Sequence, residues 1–63
     1  GVMAQRLQQA IDILPDKQKQ VFIMRYYDEL SYEEIAAIVD TSVGALKASY
    51  HHAVKKIEDF LLS

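Results

Sequence analysis

The chain has 63 residues, 51% of them apolar, enough for one small core but not for a second one or a large pocket. It contains no cysteine, so there is no disulfide framework and no thiolate zinc site; packing and helix capping must carry stability, as suits a cytoplasmic protein. The net charge of −2 argues at first sight against binding to phosphate. The longest apolar runs, such as Val21 to Met24, fall far short of the roughly 20 residues that span a bilayer, and the N-terminal stretch lacks the apolar segment of a signal peptide.

Met3, Leu7, Ala10, Ile11 and Leu14 recur at steps of three and four and predict a first helix over residues 2–14, ended by Pro15. A second helix over 16–27 starts near Pro15, a suitable first-turn residue, with Asp16 at its positive end. Val21, Phe22, Met24 and Arg25 form its band, which is wide enough that a member such as Ile23 should stay exposed. Asp28-Glu29-Leu30-Ser31 then breaks the pattern, and Ser31 with Glu34 forms a capping box for a short third helix over 32–39. Ile35, Ala36, Ile38 and Val39 are its expected core residues. Asp40 accepts left-handed backbone more readily than most residues, which suits a tight turn at Asp40-Thr41. Ser42 caps a fourth helix over 43–62, whose buried stripe is Val43, Leu46, Tyr50, Val54, Ile57 and Leu61. The expectation is an all-α fold, one four-helix domain cut from a longer chain, ending in a helix-turn-helix.

Two helices of about 8 and 20 residues joined by a short turn have the geometry of that DNA-binding motif. The charges are sorted along the chain. From Ser42 to Ile57 the ionisable residues are Lys47, His51, His52, Lys55 and Lys56, whereas acids cluster at Asp28, Glu29, Glu33, Glu34 and Asp40. At about 100° per residue, Gly44, Ala48, His51, His52 and Lys55 lie opposite the buried stripe of the last helix. Gly44, Ala45 and Ala48 let that backbone approach a major groove closely, with Lys47, His51 and His52 within reach of bases and Lys55 and Lys56 within reach of phosphates.

Leu14-Pro15, Val21-Phe22, Arg25, Leu30-Ser31-Tyr32-Glu33-Glu34-Ile35-Ala36, Ser42-Val43-Gly44 and Lys47 together resemble region four of bacterial sigma factors of the extracytoplasmic-function type. The resemblance runs from about Leu7 to Ile57. It implies that the last helix reads the minus-35 promoter element in double-stranded DNA. It also implies contact with the flap of the RNA polymerase beta subunit, an anti-sigma protein as a further partner, and a separate N-terminal domain that binds core polymerase. The family's DNA-facing positions fall on Lys47, Ala48, His51 and His52, with Ser49 near the backbone. This chain departs from the family where Ala45 replaces the usual Thr, Ser49 and His52 replace Arg, and Glu29 stands where Gly is common.

Other chemistry fits less well. His51 and His52 diverge by about 100° and lack a third ligand at helical spacing, so no metal is expected. Glu33 and Glu34 are explained by capping and solubility rather than by catalysis, and no cofactor is implied. The four tyrosines read as core-edge residues. Two rivals stand beside promoter recognition: a response-regulator effector domain, which would dimerise on paired half-sites, and a helical protein-interaction module with little DNA binding. Membrane association is not expected.

Overall fold

Local signals set the helix boundaries inside the chain. The computed structural model describes all 63 residues as α1 (Val2–Asp12), α2 (Asp16–Tyr26), α3 (Tyr32–Val39) and α4 (Val43–Leu62). The first helix stops two residues before Leu14, because the proline ring disfavours helical backbone at the residue before it. Pro15 itself, at φ −56 and ψ 150, is the N-cap of α2 and sits just outside the first turn expected for it. Helix α2 ends where the Leu30 amide reaches back six residues to the Met24 carbonyl (3.0 Å) across Glu29, whose φ of 56 is left-handed. The Arg25 guanidinium ties this turn down by donating to the Leu30 carbonyl at 3.2 Å.

Both arms of the capping box are made. The Glu34 amide donates to Ser31 Oγ at 3.1 Å, and the Ser31 amide donates to Glu34 Oε1 at 2.9 Å. These bonds favour the carboxylate and hold Glu34 below its ordinary pKa of 4.5, the bond to the Ser31 backbone contributing most. Asp40 takes the left-handed conformation (φ 53, ψ 50) that ends α3, and its amide donates to the Ala36 carbonyl. Two residues later Ser42 caps α4, its Oγ accepting from the Ala45 amide at 3.2 Å.

Helix α4 is the spine against which the other three pack. Ala10, Ile11, Leu14 and Phe22 meet Ala53 and Ile57 in one cluster, while Val21, Ile35 and Leu46 form a second beneath the helix-turn-helix. Tyr50 packs against both.

Three expectations about the core need correction. Met3 is 68% exposed, because Arg6 already reaches the last turn of α4 through the carbonyls of Phe60 and Leu61 (3.3 Å each), leaving residues before it without a facing helix. Ile38 is 60% exposed, since it lies about 100° from the middle of the stripe that Tyr32, Ile35, Ala36 and Val39 turn inward. Ala53, absent from the expected stripe, is fully buried against α1 and α2, while Val43, Tyr50, Val54 and Leu61 are only half-buried.

Candidate nucleic-acid interface

The open side of α4 carries Gly44, Ala48, His51, His52 and Lys55, all exposed. A methyl group built on Gly44 would meet no atom within 4 Å, so nothing inside the molecule demands glycine there. The small size of Gly44 and Ala48 therefore leaves a bare strip of helix facing outward. His51 and His52 stand beyond it, their rings edge to face at 6.0 Å. Lys55 pairs with Asp59 one turn on at 3.7 Å, both side chains well exposed, and Lys56 is exposed beside it.

The two flanks of this strip differ. On one, Ala45 and Ser49 line a groove of about 380 Å³ that α4 shares with Lys17 and Gln20 of α2, with Val39 at the end of α3 and with Asp40 and Thr41 of the turn. Ser49 is half-buried here, about 60° around α4 from the fully buried Leu46, and so faces α2 rather than the open side. On the other flank Lys47 leans toward the start of α3. Its Nζ lies 5.8 Å from the Tyr32 ring centroid, and the Arg25 guanidinium carbon lies 5.0 Å from the same ring.

Sequence reasoning missed Lys17, Arg25 and Tyr32 as neighbours of this surface. The helical pattern puts Arg25 within an apolar band and Tyr32 at the edge of the core, and Lys17 carries no local signal, because only packing brings the start of α2 beside the turn. Tyr50 joins Phe22 (5.7 Å, stacked) and Tyr32 (6.3 Å, edge-on) beneath the strip. Burial, reinforced by the neighbouring Tyr32, pushes its phenol above the ordinary value of 10.0, against the pull of Arg25.

No group of three or more histidines and carboxylates is gathered where it could hold a metal ion. No helix is long and apolar enough to cross a membrane. What the surface offers is a narrow helix edge of small residues with Arg25 and Lys47 on one flank, a shape matched to the major groove of a duplex.

Comparison with known proteins agrees with that shape. Residues 4–57 match the family described as Sigma-70, region 4. The chain is 34% identical over 58 residues to the ECF RNA polymerase sigma factor SigD of Mycobacterium tuberculosis, covering 92% of this chain and 27% of that protein. It is 41% identical over 49 residues to the ECF RNA polymerase sigma factor SigW of Bacillus subtilis, covering 78% and 26%. With the RNA polymerase sigma-E factor of Streptomyces coelicolor it shares 30% identity over 57 residues, covering 90% and 32%. The chain thus spans about a third or less of the relatives it matches. The helix-turn-helix, the family match and these relatives together lead to one conclusion: the chain belongs to the sigma-70 region 4 family, as region 4 of an ECF sigma factor.

Proposed function

We propose that this chain recognises the minus-35 promoter element during transcription initiation. Helix α4 enters the major groove by the edge that Gly44, Ala48 and His51 present. The observation that carries the reading is the bare edge itself with Arg25 and Lys47 along one flank; on the other, Lys17 lines the Ala45 and Ser49 groove together with Asp40. A helix lying in a major groove has a phosphate backbone on each side; Arg25 and Lys47 suit one of them, and Lys17, offset by Asp40, is the cation available to the other. His51 and His52 are the candidates for base edges, with Lys55 and Lys56 toward a more distant phosphate. Ala45 and Ser49 border the edge rather than form it.

Few fixed cations face the duplex, so affinity is modest and the gain comes from tethering within a larger assembly, which raises the local concentration of the domain at the promoter. The exposed Ile23 and Tyr26 of α2 and the adjoining Tyr27 support a protein contact on that side, with the RNA polymerase beta flap as first candidate and an anti-sigma protein as second. No step of this role requires bond chemistry.

The test is chemical-shift mapping of the labelled chain with a mixed-sequence duplex at low salt, and separately with a flap peptide. Shifts at Gly44, Lys47, Ala48, His51 and His52 with the duplex, weakening steeply with salt, are the expected result. A duplex that moves nothing on α4, while the peptide still moves α2, would replace this reading with the interaction module.

A further inference from the structure

Two cations converge on a single aromatic ring. Arg25 Cζ and Lys47 Nζ lie 5.0 and 5.8 Å from the Tyr32 centroid, both within the range of about 6 Å at which a ring face attracts positive charge. The ring cannot swing freely, because it packs on the Val21, Ile35 and Leu46 cluster and meets Tyr50 edge-on at 6.3 Å and 78°. Arg25 is likewise fixed by its bond to the Leu30 carbonyl. Lys47 has no such partner. The one ion pair of the molecule joins Lys55 to Asp59, so the Tyr32 ring alone holds the Lys47 ammonium.

A lysine on an exposed helix face ordinarily samples many rotamers and loses that freedom when it meets a ligand. An ammonium already resting on a fixed ring has less freedom to lose, and the bound geometry is partly prepared in advance. The capping box extends this one step further back. Ser31 and Glu34 fix the start of α3, the start of α3 fixes Tyr32, and Tyr32 fixes Lys47 on α4.

We propose that Tyr32 is a positioning residue for DNA recognition: its ring holds Lys47 on the flank of α4 in the orientation used on the duplex, acting through Lys47 rather than on DNA itself. This rests on the reading of α4 as the DNA-reading helix. Arg25 faces the same ring and carries the same charge, so losing the ring would free Lys47 to swing away from a like neighbour. The role belongs to the π face of Tyr32 and not to its hydroxyl.

The experiment compares the 63-residue chain with Tyr32→Phe, which keeps the face, and Tyr32→pentafluorophenylalanine, which keeps the volume but reverses the charge distribution of the face. Each is made with Lys47 intact and with Lys47→Ala. Two readouts are taken: the ring-current shift of the Lys47 side-chain protons in the free chain, and affinity for a mixed-sequence duplex over a range of salt. Thermal melting of every variant checks the fold.

The fluorinated ring should lose the Lys47 shift and weaken binding about twofold to fivefold, as expected for one exposed cation–π contact. Tyr32→Phe should retain both, and in the Lys47→Ala background the fluorinated ring should have no further effect. Equal weakening with and without Lys47, a Lys47 shift that survives fluorination, or tighter binding once the ring is altered would each overturn the proposal. Absence of any duplex binding by the parent chain would overturn it too. That failure would belong to the DNA reading, because the Lys47 shift in the free chain would still report the contact.

Discussion

Glu29 and Asp40 share a left-handed backbone, at φ 56 and 53, without sharing its strain. The short Asp carboxylate can bond locally and so tolerates the conformation, whereas Glu has only the steric cost of its Cβ. Glu29→Gly should therefore stabilise the chain by roughly 0.5–1 kcal/mol, net of the extra freedom glycine adds to the unfolded state, and Asp40→Gly by less. Urea midpoints of the two variants check the order. Glu34 makes a second residue-scale prediction. Folding lowers its pKa, so the stability it contributes is fully present above 4.5 and is lost as pH falls through the lower folded value. Glu34→Gln keeps an acceptor for the Ser31 amide but cannot titrate. The melting temperature of the parent chain should fall below pH 4.5 more steeply than that of the variant, and parallel acid profiles would remove Glu34 from the account.

At the scale of elements, the economy of the fold is that α4 serves the core with one side and leaves the other open for the proposed contact with a duplex. On its buried side Ala53 shares a cluster with Ala10 of α1, and both are fully buried. Ala53→Leu should destabilise by about 1–3 kcal/mol through overpacking, whereas the outward-facing Ala48→Leu should leave thermal stability nearly unchanged and weaken DNA binding. A melt and a duplex titration of each separate the two sides of the helix. What the sequence could show follows the same division. Caps and turns were legible at Ser31, Glu34, Asp40 and Ser42 because each signal acts within four residues. Gly44, Ala48, His51 and Lys55 were legible as one strip because helical angles alone group them. Ala53 was not, since a small residue between polar ones suits either face until the position of α1 is known. Exposure of Met3 and Ile38 depends on where neighbouring helices stop, and the approach of Lys17 and Arg25 to α4 depends on how α2 packs, so neither is written in any local pattern.

For the molecule as a whole, a net charge of −2 coexists with the proposed DNA-facing surface because α4 carries no acid before Glu58. Binding is then governed by the few local cations and is sensitive to each one. His52→Arg places a permanent charge on an exposed position with a side chain long enough to reach past the base edges to a phosphate, and should tighten binding to a duplex while steepening the dependence of log K on log salt by about 0.9, the increment for one added phosphate contact. An unchanged slope would place His52 off the backbone. Shape matters alongside charge. The molecule measures 34 × 19 × 15 Å, and α4, at about 30 Å, runs nearly its full length. Arg6 binds the carbonyls of Phe60 and Leu61, with its guanidinium 5.7 Å from the Phe60 ring centroid, so the start of α1 is fastened to the end of α4. Gly1 and Ser63 therefore lie at the same pole, and the Gly44 and Ala48 strip lies toward the other. Joining those two residues through a short flexible loop and reopening the chain in the exposed Asp28-Glu29 turn would give a circular permutant with the same helices in a new order, the Gly44 and Ala48 strip lying at the far pole from the new joint.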